Sequence, residues 1–408
     1  MFKKIAVLAI ALMMLLVAGC GNSNTKNESG SGDAGGKQTV TMGFWGTAED
    51  LKLYKDAAAK INEENNDFQL EIKQYPSSEQ FWDTLPAEIA AGVAPDFIKV
   101  SNEGAYEYIS KGLFTSLDEY IKSQNLDMSI FNENVVNVWK VDDKQYGIPN
   151  TMNAAMFFIN EDMWKEAGLG EYPKTWDEVY EAAKILTKGE VRGIGINLHP
   201  YHITNYLKSY GGGWNYGDNI ASEENIKAMD FVLKMYEEKL AVTPKELGLG
   251  WDGEVFANEK AAMTTGGYWY KAFLKDANPD LKYAVLPIPE GTEKGSSMIS
   301  DAYVLLKDSK NKEAAVQAAY KLTSEEVQKQ FMAIGHNPSR TALSEQYFNE
   351  NPEFKEIEKA LDYSTDWEYP EKTKMFTDKL SEELEAKVLG GNGKSAKDIL
   401  ESIQQSIK

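Results

Sequence analysis

Strand-type and helix-type segments alternate along this chain, and that order confines it to helices packed on sheets of mostly parallel strands. Thr39 to Trp45 is short, apolar and β-branched, as a first strand requires. Ala48 to Asn62 then repeats apolar residues at helical spacing (Leu51, Tyr54, Ala58, Ile61), and Phe68 to Ile72 alternates as a second strand. Phe81 to Ala91 reads as a helix stopped by Gly92, followed by Ala94-Pro95-Asp96 and a strand from Phe97 to Val100. A βαβαβ order implies parallel strands joined by right-handed crossovers.

A second series starts after Gly147-Ile148-Pro149. Met156 to Ile159 is a strand, and Thr175-Trp176-Asp177-Glu178 is a capping box that opens a helix running to Leu186. Gly193 to Leu198 reads as a strand and Pro200 to Tyr210 as a helix stopped by Gly211-Gly212-Gly213. Ser222 caps a long amphipathic helix through Leu240. The body from Gln38 to Lys408 exceeds the roughly 250–300 residues that one hydrophobic core serves, so two lobes are expected. No internal repeat is found.

The N-terminus has the pattern of an export signal: Lys3 and Lys4, an apolar run from Ile5 to Val17, then Ala18, Gly19 and Cys20. The run is too short to span a bilayer comfortably. Leu16-Val17-Ala18-Gly19-Cys20 resembles a bacterial lipobox, with Val17 where Leu is more frequent. Residues 1–19 would be removed and lipid attached to the sulfur of Cys20. Gly21 to Lys37 contains no apolar residue but Ala34 and cannot repay the entropy of folding, so 20–37 is expected to be a lipidated tether with a reach of roughly 20–25 Å.

Cys20 is the single cysteine, so no disulfide supports the fold. The formal charge of −20, which becomes −22 once Lys3 and Lys4 are removed, argues against nucleic acid and against electrostatic attachment to anionic lipid. Membrane attachment then depends on acyl chains, two or more of which anchor stably.

Several separated blocks, in order, resemble those of the family 1 extracellular solute-binding proteins of ABC importers, the group that contains maltose-binding protein. They are Ile89-Ala90-Ala91-Gly92 with Ala94-Pro95-Asp96; Tyr146-Gly147-Ile148-Pro149, Asn160 and Pro173-Lys174-Thr175-Trp176; and Phe256 to Met263, with Glu259 where Gly is usual. Leu286-Pro287, Ser309 to Ala315, Leu322 to Glu326 and Pro338-Ser339-Arg340 continue the series. Relatives often have paired glycines where this chain has Ser300-Asp301.

The resemblance implies a two-lobed α/β clamp of the periplasmic-binding-protein type. Residues 38–150 with 301–340 would form the N-terminal lobe, and 151–300 with 341–408 the C-terminal lobe. Crossings would lie near 150–152, 298–300 and 341–343. It further implies a carbohydrate held between the lobes, expected to be a neutral oligosaccharide, and delivery to permease subunits in the membrane. The protein would be a monomer without cofactor, lipid-anchored on the outer face of a membrane that suits a Gram-positive cell.

Sugars are gripped by aromatic faces and by planar polar groups around the hydroxyl rim. Nine Trp and 21 Tyr supply candidates. Trp45 ends the first strand, where ligands of open α/β sheets sit. Trp269, after Gly266-Gly267-Tyr268, matches the family's stacking Trp, and Gly267 beside it permits close approach. Trp214 after the glycine run and Trp367 in Asp362 to Trp367 are further candidates. Trp164 and Trp176 are expected to pack, and Trp82, Trp139 and Trp251 to lie in the core. Polar candidates are Asn153, which the resemblance aligns with a ligand-contacting acidic residue, then Glu49, Asp50, Ser101, Asn102 and Asp301. Ordinary helix capping would also account for Glu49, Asp50, Ser101 and Asn102.

Two other classes compete. A secreted glycoside hydrolase needs only a pair of carboxylates, and none of the motifs G-x-S-x-G, H-E-x-x-H, P-loop or Rossmann fingerprint is present. A metal site would draw on His199 and His202, but only His336 remains elsewhere, so both are expected to line or flank a cleft as ordinary polar residues. Arg192 and Arg340 are the only arginines, which disfavours anionic ligands that need guanidinium forks. Polyamines stay open as an alternative ligand for an acidic, aromatic cleft.

Overall fold

The computed structural model describes residues 37–408. The leader, Cys20 and the tether up to Gly36 lie outside the described residues. Lys37, the last residue assigned to the tether, is already part of the body, because its ammonium donates to the Asn62 carbonyl at 2.8 Å.

Strand β1 (Gln38–Trp45) buries Val40, Met42 and Phe44, the alternate residues of one face, and lies between β2 (Phe68–Tyr75) and β3 (Phe97–Ser101), parallel to both. Helix α1 (Ala48–Glu64) starts at a reciprocal capping box between Thr47 and Asp50. Helix α2 (Ser78–Ala91) stops at Gly92, whose φ of 70° suits glycine. Asp96 of the Ala-Pro-Asp block accepts from the Thr41 amide at 2.8 Å and the Ser309 hydroxyl at 2.7 Å, so that block is structural.

This six-stranded sheet is completed by Phe114–Thr115, Gly147–Pro149 and Asp301–Leu306. Asp301–Leu306 runs antiparallel to each of the three strands it touches, so it is the one reversed strand and the rest point the same way. The second sheet has five strands, in the order Ala241–Val242, Arg192–Gly195, Ala261–Gly266, Met156–Asn160 and Tyr283–Pro287. Met156–Asn160 is reversed here. The α/β, mostly parallel expectation therefore describes both sheets.

Local differences have local causes. The strand expected to reach Leu198 ends at Gly195, because the Asn197 side chain turns to accept from the His199 amide and leads into helix Pro200–Ser209. The helix expected to reach Leu240 ends at Glu237, and Lys239 takes a φ of 58°.

Between the sheets runs a three-stranded ribbon of Asn153–Ala154, Ser296–Ile299 and Ser364–Thr365. The chain leaves the first sheet after Pro149 and returns to it at Asp301, and the two passages are tied together. The amides of Asn150 and Thr151 donate to the Asp301 carbonyl, and the Ser300 hydroxyl donates to the Thr151 carbonyl at 2.8 Å. Thr151 also bridges to Pro338.

The hydrophobic core of the first sheet continues through Met152, Ala154 and Met298 to Phe158 and Phe256 beside the second. A second cluster joins Phe157, Ile194 and Met263 to helices Thr373–Val388 and Ala396–Ile407 through Phe376, Leu380, Ile399 and Ile403.

Candidate ligand cleft

The C-terminal ends of β1 and β3 open towards the second sheet, and the side chains that meet there come from chain segments hundreds of residues apart. A pocket of about 290 Å³ lies at this junction. That is close to the lower edge of the roughly 300–1,000 Å³ range of small-ligand sites. Trp45, Trp82, Ser101, Glu103 and Tyr108 line it from the first sheet; His199, Tyr369 and Thr373 line it from the other side. Trp82, expected in the core, is half-buried here and stacked on Tyr108 with ring centroids 3.6 Å apart.

Beside the pocket Tyr201 gathers the aromatic rings of the second lobe. Its ring centroid lies 5.3 Å from Trp269 and 5.1 Å from Trp367, while Trp367 contacts Tyr369 at 5.7 Å. The phenol of Tyr201 donates to the Gly266 carbonyl at 2.6 Å, which fixes the ring. Gly267 is necessary: a Cβ there would sit 2.3 Å from the Trp269 ring.

Behind these rings His202 pairs with Asp252 at 3.0 Å, both side chains 5% exposed, and its other ring nitrogen meets the Thr265 hydroxyl at 2.7 Å. Burial alone would raise the Asp252 carboxyl, but His202, Tyr270 and Asn197 outweigh it and hold it down at about 2. His199 lines the pocket, and burial together with the neighbouring His202 pushes it down to about 4. It is therefore a neutral base at pH 7, and its Nδ1 accepts from the Tyr201 amide.

The polar candidates fall into distinct settings. Asp50 is buried as the capping-box partner of Thr47 in the first turn of α1 and faces His336 at 3.4 Å; burial opposes its ionisation, yet the bonds from His336 and Thr47 hold its carboxyl well below the usual range. Glu49 is exposed in the first turn of α1 and does not line the pocket. Asn102 is a tie between elements: its amide donates to the Met298 carbonyl and to Asp366 at 2.7 Å and accepts from the Ser300 amide. Burial raises the Asp366 carboxyl to about 6, against the lowering effect of Asn102. Asp301 pairs with Lys99 at 3.1 Å. Ser101 lines the pocket.

One aromatic expectation is corrected. Trp214 is 0% exposed, its indole N–H donates to the Thr204 hydroxyl at 2.7 Å, and its ring packs edge-on against Phe376. No face of it is open to a ligand.

Five buried polar atoms along this seam have no partner: Asn153 Nδ2, Trp367 Nε1, Tyr369 Oη, His336 Nδ1 and Asn337 Oδ1. Leaving such a group unbonded costs about 1–3 kcal/mol. Among the described residues no group of three or more His, Cys, Asp or Glu is arranged to hold a metal. Tyr201, Asp252, Asp366 and Tyr369 were not singled out from the sequence, and only the run Asp362 to Trp367 gave a local signal near any of them.

The sequence profile described as "Bacterial extracellular solute-binding protein" matches residues 45–329. The chain belongs to this family. Among relatives of this solute-binding protein, the galactooligosaccharide-binding protein of Bacillus subtilis is 27% identical over 344 residues, 80% of this chain and 77% of that one. The multiple sugar-binding protein of Streptococcus mutans is 25% identical over 365 residues, 82% of each. Among solved structures, the ABC substrate-binding protein Lmo0181 of Listeria monocytogenes in complex with cycloalternan superposes with a TM-score of 0.78 at 23% identity. It covers 91% of this chain and 98% of that one. The two-lobed fold expected from the blocks is thus the fold of this solute-binding protein.

Proposed function

We propose that this protein captures an oligosaccharide between its two sheets outside the cell and delivers it to the permease of an ABC importer. The observation that carries the reading is the half-buried ring of Trp269, backed by the buried rings of Tyr201, Trp367 and Tyr369, beside unpartnered buried polar atoms on one seam. Ring faces suit the C–H side of a pyranose and the free polar atoms suit its hydroxyls. Sugar-binding names among the relatives support the same ligand class.

The N-terminal lobe would comprise 38–150 and 301–340 and the C-terminal lobe 151–300 and 341–408, with the ribbon as hinge. Asn102 to Asp366 and the Tyr106–Tyr216 ring contact at 4.3 Å are bonds that a closed clamp makes and an open one releases. A ligand touching both walls favours the closed arrangement. No bond is made or broken in the sugar. Lipid on Cys20 would hold the body at the outer membrane face; no helix among the described residues is long and apolar enough to cross a membrane.

A thermal-shift panel of mono- and oligosaccharides tests this. A ligand at 100 times its Kd should add about 2.7 kcal/mol of stability. No shift with any sugar, or release of reducing ends from an oligosaccharide, overturns the reading. Cys20→Ser should move the protein from the membrane fraction to the medium.

A further inference from the structure

Most of the carboxylates at or beside the cleft are answered. Asp50 has His336 and Thr47, Asp252 has His202 and Tyr270, Asp301 has Lys99, and Asp366 has Asn102. Glu103, on the turn after β3, has no side-chain hydrogen bond and no ion pair among the described residues, although it lines the pocket. Its surroundings are aromatic. Trp45, Trp82 and Tyr108 lie on its own side and Tyr369 faces it.

Of the charged groups nearby, His202 acts on Glu103 through space, without a hydrogen bond or ion pair between them among the described residues. Glu107 is taken by Lys111, and the pocket-lining Lys374 is bound to Asp378. His199 is neutral at pH 7, and His202 is turned to Asp252. Burial raises the Glu103 carboxyl, the direction expected of a carboxylate lacking a counter-ion. Hydroxyl groups satisfy the hydrogen bonding of such a group but leave its charge. A protonated amine supplies the charge, and ring faces attract the same cation.

We propose that Glu103 is the counter-ion for a protonated primary amine, so that the sugar this cleft selects carries a free amino group on the ring entering the Trp45–Tyr369 pocket. This rests on the carbohydrate reading and narrows it. An aliphatic polyamine presents the same ammonium chemistry, and the experiment separates the two sources.

Isothermal titration at pH 7 would use the lipid-free mature protein with β-1,4-linked glucosamine trimer, its N-acetylated form, cellotriose and spermidine. The wild type and the variants Glu103→Gln and Glu103→Asp are compared. The expected result is binding of the glucosamine trimer at least about ten-fold tighter than cellotriose and the N-acetylated trimer. Glu103→Gln should abolish that preference, Glu103→Asp should retain part of it, and neither should lower the melting temperature of the free protein. Equal or tighter binding of the neutral sugars overturns the inference and leaves the carbohydrate reading standing. Spermidine binding that Glu103→Gln removes, with no sugar bound, upholds ammonium recognition and overturns the carbohydrate reading. Binding of no amine overturns the inference whatever the neutral sugars do.

Discussion

The two walls of the cleft use the same side-chain types and place their charges differently. On the first wall the rings of Trp45, Trp82 and Tyr108 line the pocket together with Glu103, and the Lys99–Asp301 pair, which alternates onto the other face of the sheet with Phe97 and Tyr303, is 15% and 18% exposed. On the second wall the ring of Trp269 is half-buried with Tyr201 and Trp367 buried beside it, and the His202–Asp252 pair behind them is 5% exposed on both sides. Charges behind rings hold the rings in place; Glu103, which lines the pocket with the first-wall rings, meets whatever enters. The first wall therefore sets charge selectivity, and the second sets the shape of the apolar platform.

The largest expected effect tests the buried pair. Asp252→Ala strands His202 and the Tyr270 phenol and should cost about 3–5 kcal/mol in urea unfolding, whereas Lys99→Ala, which strands the less deeply buried Asp301, should cost about 1–2 kcal/mol. Equal costs would erase the distinction between the walls. The sign with pH follows from the depressed Asp252 carboxyl, at about 2 against its ordinary 3.8. Its contribution is present above about pH 4 and is lost as pH falls towards 2.

Next in size is the platform itself. Trp269→Ala should weaken oligosaccharide binding about 30-fold, roughly 2 kcal/mol, with the fold retained. An unchanged titration would take Trp269 out of the site. Trp214→Phe sharpens the contrast: it should lower stability by about 1–2 kcal/mol through the lost Thr204 bond and leave ligand affinity unchanged.

The smallest effect concerns the bond between the walls. Asp366 has a raised carboxyl, about 6, so the folded state holds its proton longer than the unfolded state. Stability should fall as pH climbs from about 4 to about 6, and the penalty persists above that. Asp366→Asn should remove this slope and stabilise the protein at pH 7.5 by about 1 kcal/mol, read as a melting temperature across pH. A slope unaltered by the substitution would assign the titration to another group.

Much of the architecture was legible in the sequence because its signals are local. A capping box needs residues three apart, as in Thr175 and Glu178, and a glycine stop such as Gly92 needs one residue with positive φ. The pocket was legible at Trp45 and Ser101, which follow strand ends. It was not legible at Trp82 or Tyr108, because a tryptophan on an amphipathic helix looks the same whether it meets a core or a neighbouring ring. Trp214 misled for a related reason: a glycine run beside an indole suggests an open site, and here the run lets the chain turn inwards.

By itself the sequence determined the alternating elements, the two-sheet division and the family, since each depends on short-range periodicity or on ordered blocks. Only the tertiary structure decided which charges are answered. Asp50 meets His336, Asn102 meets Asp366 and Asp252 meets His202 across separations that no periodicity encodes. The chain passes repeatedly between the two sheets, so partners are chosen where those passages converge, and the same convergence leaves Glu103 without one.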